Sequence, residues 1–142
     1  MKRKKNPAAT ISIEIQPNDI IDALSNMPEG EVLDWRSVKS SPLAYAAVHL
    51  TRFYRGSQIG MDELVITATN SEVTIHKLSL AGWGRMEHFT VNPRLAAFFT
   101  EAMTWRKTSL TAFTTIRAMR RLMEWPTVDG GEIAREFKSY GL

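Results

Sequence analysis

The chain has 142 residues, no cysteine, 44% apolar residues and a formal net charge of +3. Its length allows one domain of ordinary size, and its composition is typical of a folded globular protein, not of a disordered one. Without cysteine it has no disulfide, thiolate metal site or thiol nucleophile. No apolar run approaches the roughly 20 residues of a membrane-spanning helix, and no apolar segment follows the basic N-terminus. We therefore expect a cytoplasmic protein without membrane contact.

Charge is distributed in blocks along the chain. The chain begins with a run of four cations, Lys2, Arg3, Lys4 and Lys5. Residues 6 to 34 then carry six acids and no Lys or Arg, whereas residues 35 to 61 carry four cations and no acid. Residues 85 to 121 carry seven cations and two acids. A partner contacts a surface patch and not the total charge, so two questions follow: whether the basic regions share a face, and whether the acidic segment masks them.

The N-terminal part is expected to hold an arm, a strand and a helix. Residues 1 to 9 have no apolar periodicity and predict a flexible basic arm, followed by a single domain over residues 10 to 142. Residues 10 to 15 alternate strictly, with three isoleucines on one side, which predicts a half-buried strand. Asn18 is the expected N-cap of a short helix that runs to about Met27.

Two helices are predicted next in the chain. A short one is expected from Val32 to Lys39. Ser41 then has the position of an N-cap, Pro42 fits the first helical position, and Gly56 fits the position just past the end. This spacing predicts a helix of about four turns between Ser41 and Gly56.

A β-hairpin follows. Residues 64 to 69 and residues 72 to 78 alternate in polarity and flank an Asn-Ser dipeptide, which favours a two-residue turn. That turn pairs Ile66 with Ile75 and puts the apolar side chains on one face. The Gly-Trp-Gly sequence at residues 82 to 84 is predicted to be a loop.

The C-terminal third is predicted to be helical. One helix opens at Asn92 by the same cap-then-proline pattern, a second runs from about residue 108 to Trp125, and a short one follows Asp129. The elements together predict an α+β fold. A small antiparallel sheet, built from a strand at about residues 10–15 and a hairpin at about 64–79, packs against four to six helices.

No catalytic motif is present. The chain lacks a glycine-rich phosphate loop, an HExxH metal motif and a Gly-x-Ser-x-Gly elbow. Its three histidines, His49, His76 and His88, lie in different predicted elements, at spacings that indicate no metal site. We therefore expect no enzyme activity, no cofactor and no bound metal.

Two predicted helices carry basic faces. The residues of the first face recur every three or four positions: Tyr45, His49, Arg52 and Arg55. The second face comprises Arg117, Arg120 and Arg121, with Arg106 and Lys107 just before its helix. The apolar stripe of that second helix is predicted to be Ala112, Ile116, Met119 and Met123. Arginines bind phosphate oxygens, nearby aromatics stack on bases, and helix, turn and basic helix have the outline of a helix-turn-helix.

Other residues favour a protein interface. Trp83 lies between two glycines and two residues before Arg85, which is typical of an interface anchor or of a base-stacking side chain. Ile133 and Phe137, four residues apart near the C-terminus, are further candidate anchors.

These features lead to two functional hypotheses. The first is a small non-enzymatic nucleic-acid-binding protein, an accessory or regulatory factor of replication, packaging or a mobile element. It would bind DNA or RNA through the basic helix faces and the basic arm. The alternative is a protein-interaction module of phage or mobile-element origin. Such a module would inhibit a host enzyme, serve as a subunit of a larger assembly or form a homo-oligomer.

Overall fold

The computed structural model describes residues 12–35, 37, 41–55, 64–79, 82–105 and 109–139. Within these ranges lie five helices: α1 (Pro17–Leu24), α2 (Pro42–Arg55), α3 (Pro93–Ala102), α4 (Ala112–Glu124) and α5 (Gly130–Ser139). The strands of the same ranges are β1 (Ser12–Ile15), β2 (Val32–Asp34), β3 (Leu64–Ala68), β4 (Glu72–Ser79), β5 (Gly82–Val91) and β6 (Ser109–Thr111). The predicted α+β fold is confirmed.

The hairpin of β3 and β4 has the predicted register. Ile66 lies opposite Ile75, both are buried, and the turn closes where the Thr69 amide donates to the Glu72 carbonyl at 2.8 Å. On the other face the hydroxyls of Thr67 and Thr74 form a hydrogen bond. Alternation and turn length both specify this register, because a slip of one residue would put Ile66 and Ile75 on opposite faces of the sheet and expose one of them.

The predicted loop at residues 82 to 84 is wrong, because β5 begins at Gly82. This strand pairs antiparallel with β4 and parallel with β1, which gives a four-stranded sheet in the order β1-β5-β4-β3. The sheet is therefore mixed at β1 and not antiparallel throughout, as the sequence predicted. Its inward positions include Glu87, Phe89 and Val91, all buried. An acid at an inward position breaks the apolar alternation by which a strand is recognised. The predicted first strand and the predicted hairpin are therefore joined through β5.

The helix predicted from Val32 is wrong at its start, because residues 32 to 34 form β2. This strand pairs antiparallel with β6, with Leu33 opposite Leu110. The helix expected from about residue 108 consequently begins at Ala112, and Thr111 is its N-cap. The two strands have three residues each, which is too short for an alternation pattern to identify.

The helices pack in two groups. In the first, α1 packs against both α2 and α4, and α2 also contacts the sheet. In the second, α3 packs closely against α5. There Gly130 is required, because a Cβ at this position would lie 1.8 Å from the Arg94 carbonyl oxygen.

The predicted helix-turn-helix outline is wrong. Strand β6 lies between α3 and α4, and the two helices pack mainly against different helices.

None of the described helices is long and apolar enough to cross a membrane.

Candidate nucleic-acid interface

Helix α4 turns one face to the core and the opposite face outward. Its buried residues are Ala112, Thr115, Ala118, Met119 and Leu122. The predicted apolar stripe is thus correct at Ala112 and Met119, whereas Ile116 is half-buried and Met123 is 48% exposed. The small residues Thr115 and Ala118 take up inward positions on the helix, so the side predicted to be apolar is rotated partly into solvent.

A row of four residues runs from the outward face of α4 to its C-cap, each four positions after the last: Phe113, Arg117, Arg121 and Trp125. We call this row the α4 ridge. Residues four apart lie nearly above one another on a helix, so the row extends about 18 Å from Phe113 to Trp125 at 1.5 Å per residue. Phe113 is 45% exposed and Trp125 is 43% exposed. Two arginines therefore lie between two aromatic side chains in a row that winds by about 120° around the helix, because each step of four residues turns it by about 40°.

Each arginine of the ridge lies over the aromatic ring at its own end. The guanidinium carbon of Arg117 is 5.7 Å from the ring centroid of Phe113, and that of Arg121 is 4.7 Å from the ring of Trp125. Cation–π contacts of this kind contribute about 0.5–1 kcal/mol at exposed sites. They hold the rings along the helix while nearly half of each ring side chain stays in solvent.

The positive charge of this face is only partly neutralised. Arg121 lies 3.8 Å from a carboxylate oxygen of Glu136 on α5. Arg117 and Arg120 are exposed and form no ion pair with any residue that the structure describes. Two arginines thus remain available for an anionic partner, with a third held by a pair that is weak at this distance and exposure.

The N-terminus of α4 has no spare donors for an anion. The amide of Ala112 donates to the Glu31 carbonyl at 2.8 Å, and the amide of Phe113 donates to the Glu29 carbonyl at 3.1 Å. The Thr114 amide donates to the Thr111 hydroxyl at 3.2 Å. Because these donors are used, phosphate binding at this helix has to come from side chains.

The far end of the ridge is fixed by a residue that the sequence patterns did not single out. Arg94 of α3 donates four hydrogen bonds of 2.6–2.9 Å to three main-chain carbonyls, those of Leu122, Trp125 and Val128. A cation at a helix C-terminus also stabilises the helix dipole. Arg94 therefore supports the backbone that carries Trp125 and is committed to structure, although its sequence position lies in the basic region.

A groove lies beside the Phe113 end of the ridge, between α1 and α4. Its volume is about 210 Å³, and its lining is mostly apolar and includes Ile21, Met27 and Phe113. Glu29 and Arg120 also line it. The segment at residues 29 to 31 thus lies against the start of α4, which places part of the acidic block beside this basic face.

The basic face predicted on α2 is smaller than expected. His49 is exposed, Arg52 is half-buried, and Tyr45 is half-buried against the core. The side chain of Arg55 lies outside the described part of the structure. Most other positions of α2 are buried because the helix contacts both α1 and the sheet. Helix α1 packs against both α2 and α4, which do not pack closely on each other in the described residues, so the two basic faces lie on helices that are not neighbours.

Several predicted site residues lie outside the described residues: Lys2, Arg3, Lys4, Lys5, Arg106 and Lys107. Trp83 and Arg85 lie in β5, with side chains that the structure does not describe. Ile133 is fully buried and Phe137 is 5% exposed, and both belong to the hydrophobic core. Their predicted interface role is corrected by this burial, because the four-residue spacing faces the core and not a partner.

The aromatic members of the ridge were not predicted as site residues. Their spacing of four from Arg117 and Arg121 is visible in the sequence, but their exposure follows from the rotation of α4 on α1 and α5.

Comparison with protein-family models, curated proteins and solved structures finds no match for this chain. In the described residues there is no group of three or more histidine, aspartate or glutamate side chains placed to hold a metal ion.

Proposed function

We propose that this protein binds nucleic acid, without catalysis, as an accessory or regulatory factor. The observation that carries the proposal is the α4 ridge, in which two arginines lie between two exposed aromatic side chains. Arg120, exposed on the same helix, adds a third cation beside the ridge. The basic arm at residues 2 to 5 would add contacts of its own to the phosphate backbone.

The side chains of the ridge match the two chemical parts of a nucleic acid strand, its phosphates and its planar bases. Arginine presents donors in a planar fork that fits phosphate oxygens. Exposed aromatic side chains offer a surface for bases or sugars. Because backbone amides at the start of α4 are used internally, binding would depend on the arginine side chains and would weaken strongly with salt.

The salt dependence of binding tests this proposal. Affinity for a short nucleic acid is measured between about 50 and 200 mM salt, for the natural chain and for the variant R117Q/R120Q/R121Q. Three lost phosphate contacts should make the slope of log affinity against log salt shallower by about 2 to 3. R135Q is the matched control, because Arg135 is an exposed arginine of α5 that lies 3.5 Å from Glu101.

Absence of binding at the lowest salt would refute the proposal, as would equal losses in the triple variant and in R135Q. A loss of affinity with no change in slope would also count against it, because it would mean that the three arginines do not contact phosphates.

A protein partner is the second candidate, and the exposed Met123 favours it. Protein interfaces are enriched in aromatic residues, methionine and arginine, and all three types are exposed on or just after α4. In this case the partner would be acidic, and M123A would weaken its binding. Nucleic acid would then show no saturable binding, which separates the two candidates.

A further inference from the structure

We infer that the nucleic acid bound at the α4 ridge is single-stranded, with unpaired bases stacked against Phe113 and Trp125. This inference rests on the proposed function, because it specifies what kind of nucleic acid the ridge takes. Its basis is the position of the two aromatic side chains at the ends of the ridge, with the arginines between them.

A duplex cannot use this arrangement fully. In double-stranded DNA the bases are stacked on one another, and only their edges are accessible from the grooves. A helix that reads base edges needs donors and acceptors, whereas Phe113 has none and Trp125 has one indole N–H. Two exposed rings are therefore poor readers of a duplex, whereas an unpaired base can stack on an exposed ring.

The contacts of the two rings support this assignment. Arg117 lies over Phe113 and Arg121 lies over Trp125, so one cation is held at each aromatic side chain. A strand whose bases stack at the two rings would pass its phosphates along the arginines. The ridge spans about 18 Å, which corresponds to about five steps of a stacked strand at 3.4 Å each and to fewer in an extended one.

The groove at the Phe113 end provides space for a base outside the ridge itself. Its volume is about 210 Å³, whereas pockets for drug-sized ligands have roughly 300–1,000 Å³. A groove of this smaller size suits a single planar base. The apolar walls would cover the faces of the base, while Ser25 and Glu29, which line the same groove, would lie near its edge. Arg120, which also lines this groove, would contact the adjoining phosphate.

The test compares a single strand with a duplex. A fluorescent strand of mixed, GC-rich sequence about twenty nucleotides long is titrated alone and after pairing with its complement, at the same low salt, so that the duplex stays paired. We expect the single strand to bind about ten-fold more tightly than the duplex. In F113L and W125L, which keep an apolar side chain but lose the ring, affinity for the single strand should fall about ten-fold each, with little change for the duplex.

F53L is the matched control, because Phe53 is a 46% exposed aromatic residue of α2, a helix that does not pack closely against α4 in the described residues. Circular dichroism and thermal melting confirm that each variant is folded before it is titrated. Equal binding of strand and duplex, or F113L and W125L titrations that match F53L, would overturn the inference and leave the proposed function standing. If neither nucleic acid binds, the proposed function itself is wrong.

Discussion

Replacing Arg94 by methionine tests whether this side chain supports the end of the α4 ridge. The substitution keeps the length and apolar stem but removes all four hydrogen bonds to the carbonyls of Leu122, Trp125 and Val128. A hydrogen bond from a charged donor contributes about 1.5–3 kcal/mol. The three acceptors are close together and only part-buried, so water replaces some of the loss. We expect R94M to lower the free energy of unfolding by about 3 kcal/mol.

The measurement is urea unfolding followed by tryptophan fluorescence and by circular dichroism. For a chain of this length, about 3 kcal/mol corresponds to a Tm lower by roughly 10 °C. R135M is the control, because Arg135 is exposed and contacts Glu101 at 3.5 Å, a pair expected to contribute less than about 1 kcal/mol. If R94M is no less stable than R135M, the assignment of Arg94 as a support for the helix end is wrong.

Two further substitutions test the packing around the same helices. G130A should lower the free energy of unfolding by about 3 kcal/mol, because the new methyl group would lie 1.8 Å from the main-chain oxygen of Arg94 and would push α5 away from α3. Thermal melting measures this loss, and an unchanged Tm would contradict the close approach of the two helices. N92A should lower the free energy of unfolding in urea by about 1–2 kcal/mol, because it removes the cap on the amides of Arg94 and Leu95 and the hydrogen bond to Gln16. If the loss of stability is no larger than that of an exposed control such as T90A, the cap does not stabilise the helix.

Local signals in the sequence predicted the elements that depend on neighbouring residues. The β3–β4 register follows from alternation and turn length, and the start of α3 follows from Asn92 and Pro93, with the Asn92 side chain accepting from two amides. These features depend on a few consecutive residues, so their physical cause is present in a short window of sequence.

Elements that depend on distant partners were not predicted. Strand β5 carries the buried Glu87 at an inward position, and its place in the sheet is determined by β1 and β4. Strand β2 exists because it pairs with β6, more than seventy residues later in the chain. Such pairing depends on tertiary context, which overrides the local propensity.

The candidate site was predicted only in part. The arginines of α4 were identified from their spacing, and two of them are exposed without a described ion pair. Phe113 and Trp125 were missed because sequence periodicity places a helix face only approximately. The buried face of α4 is displaced by one residue from the predicted one, so that Met123 is exposed and Leu122 is buried.

The most direct test of the α4 ridge as the binding surface uses the indole N–H signals of the tryptophans. In a nitrogen–proton NMR spectrum, with the Trp125 signal assigned from W125F, a short oligothymidylate is added at low salt. The ridge predicts a saturable shift of the exposed Trp125 signal, whereas the buried Trp35 and Trp105 signals stay in place. An oligonucleotide that binds without moving the Trp125 signal would contradict the assignment of the ridge as the site.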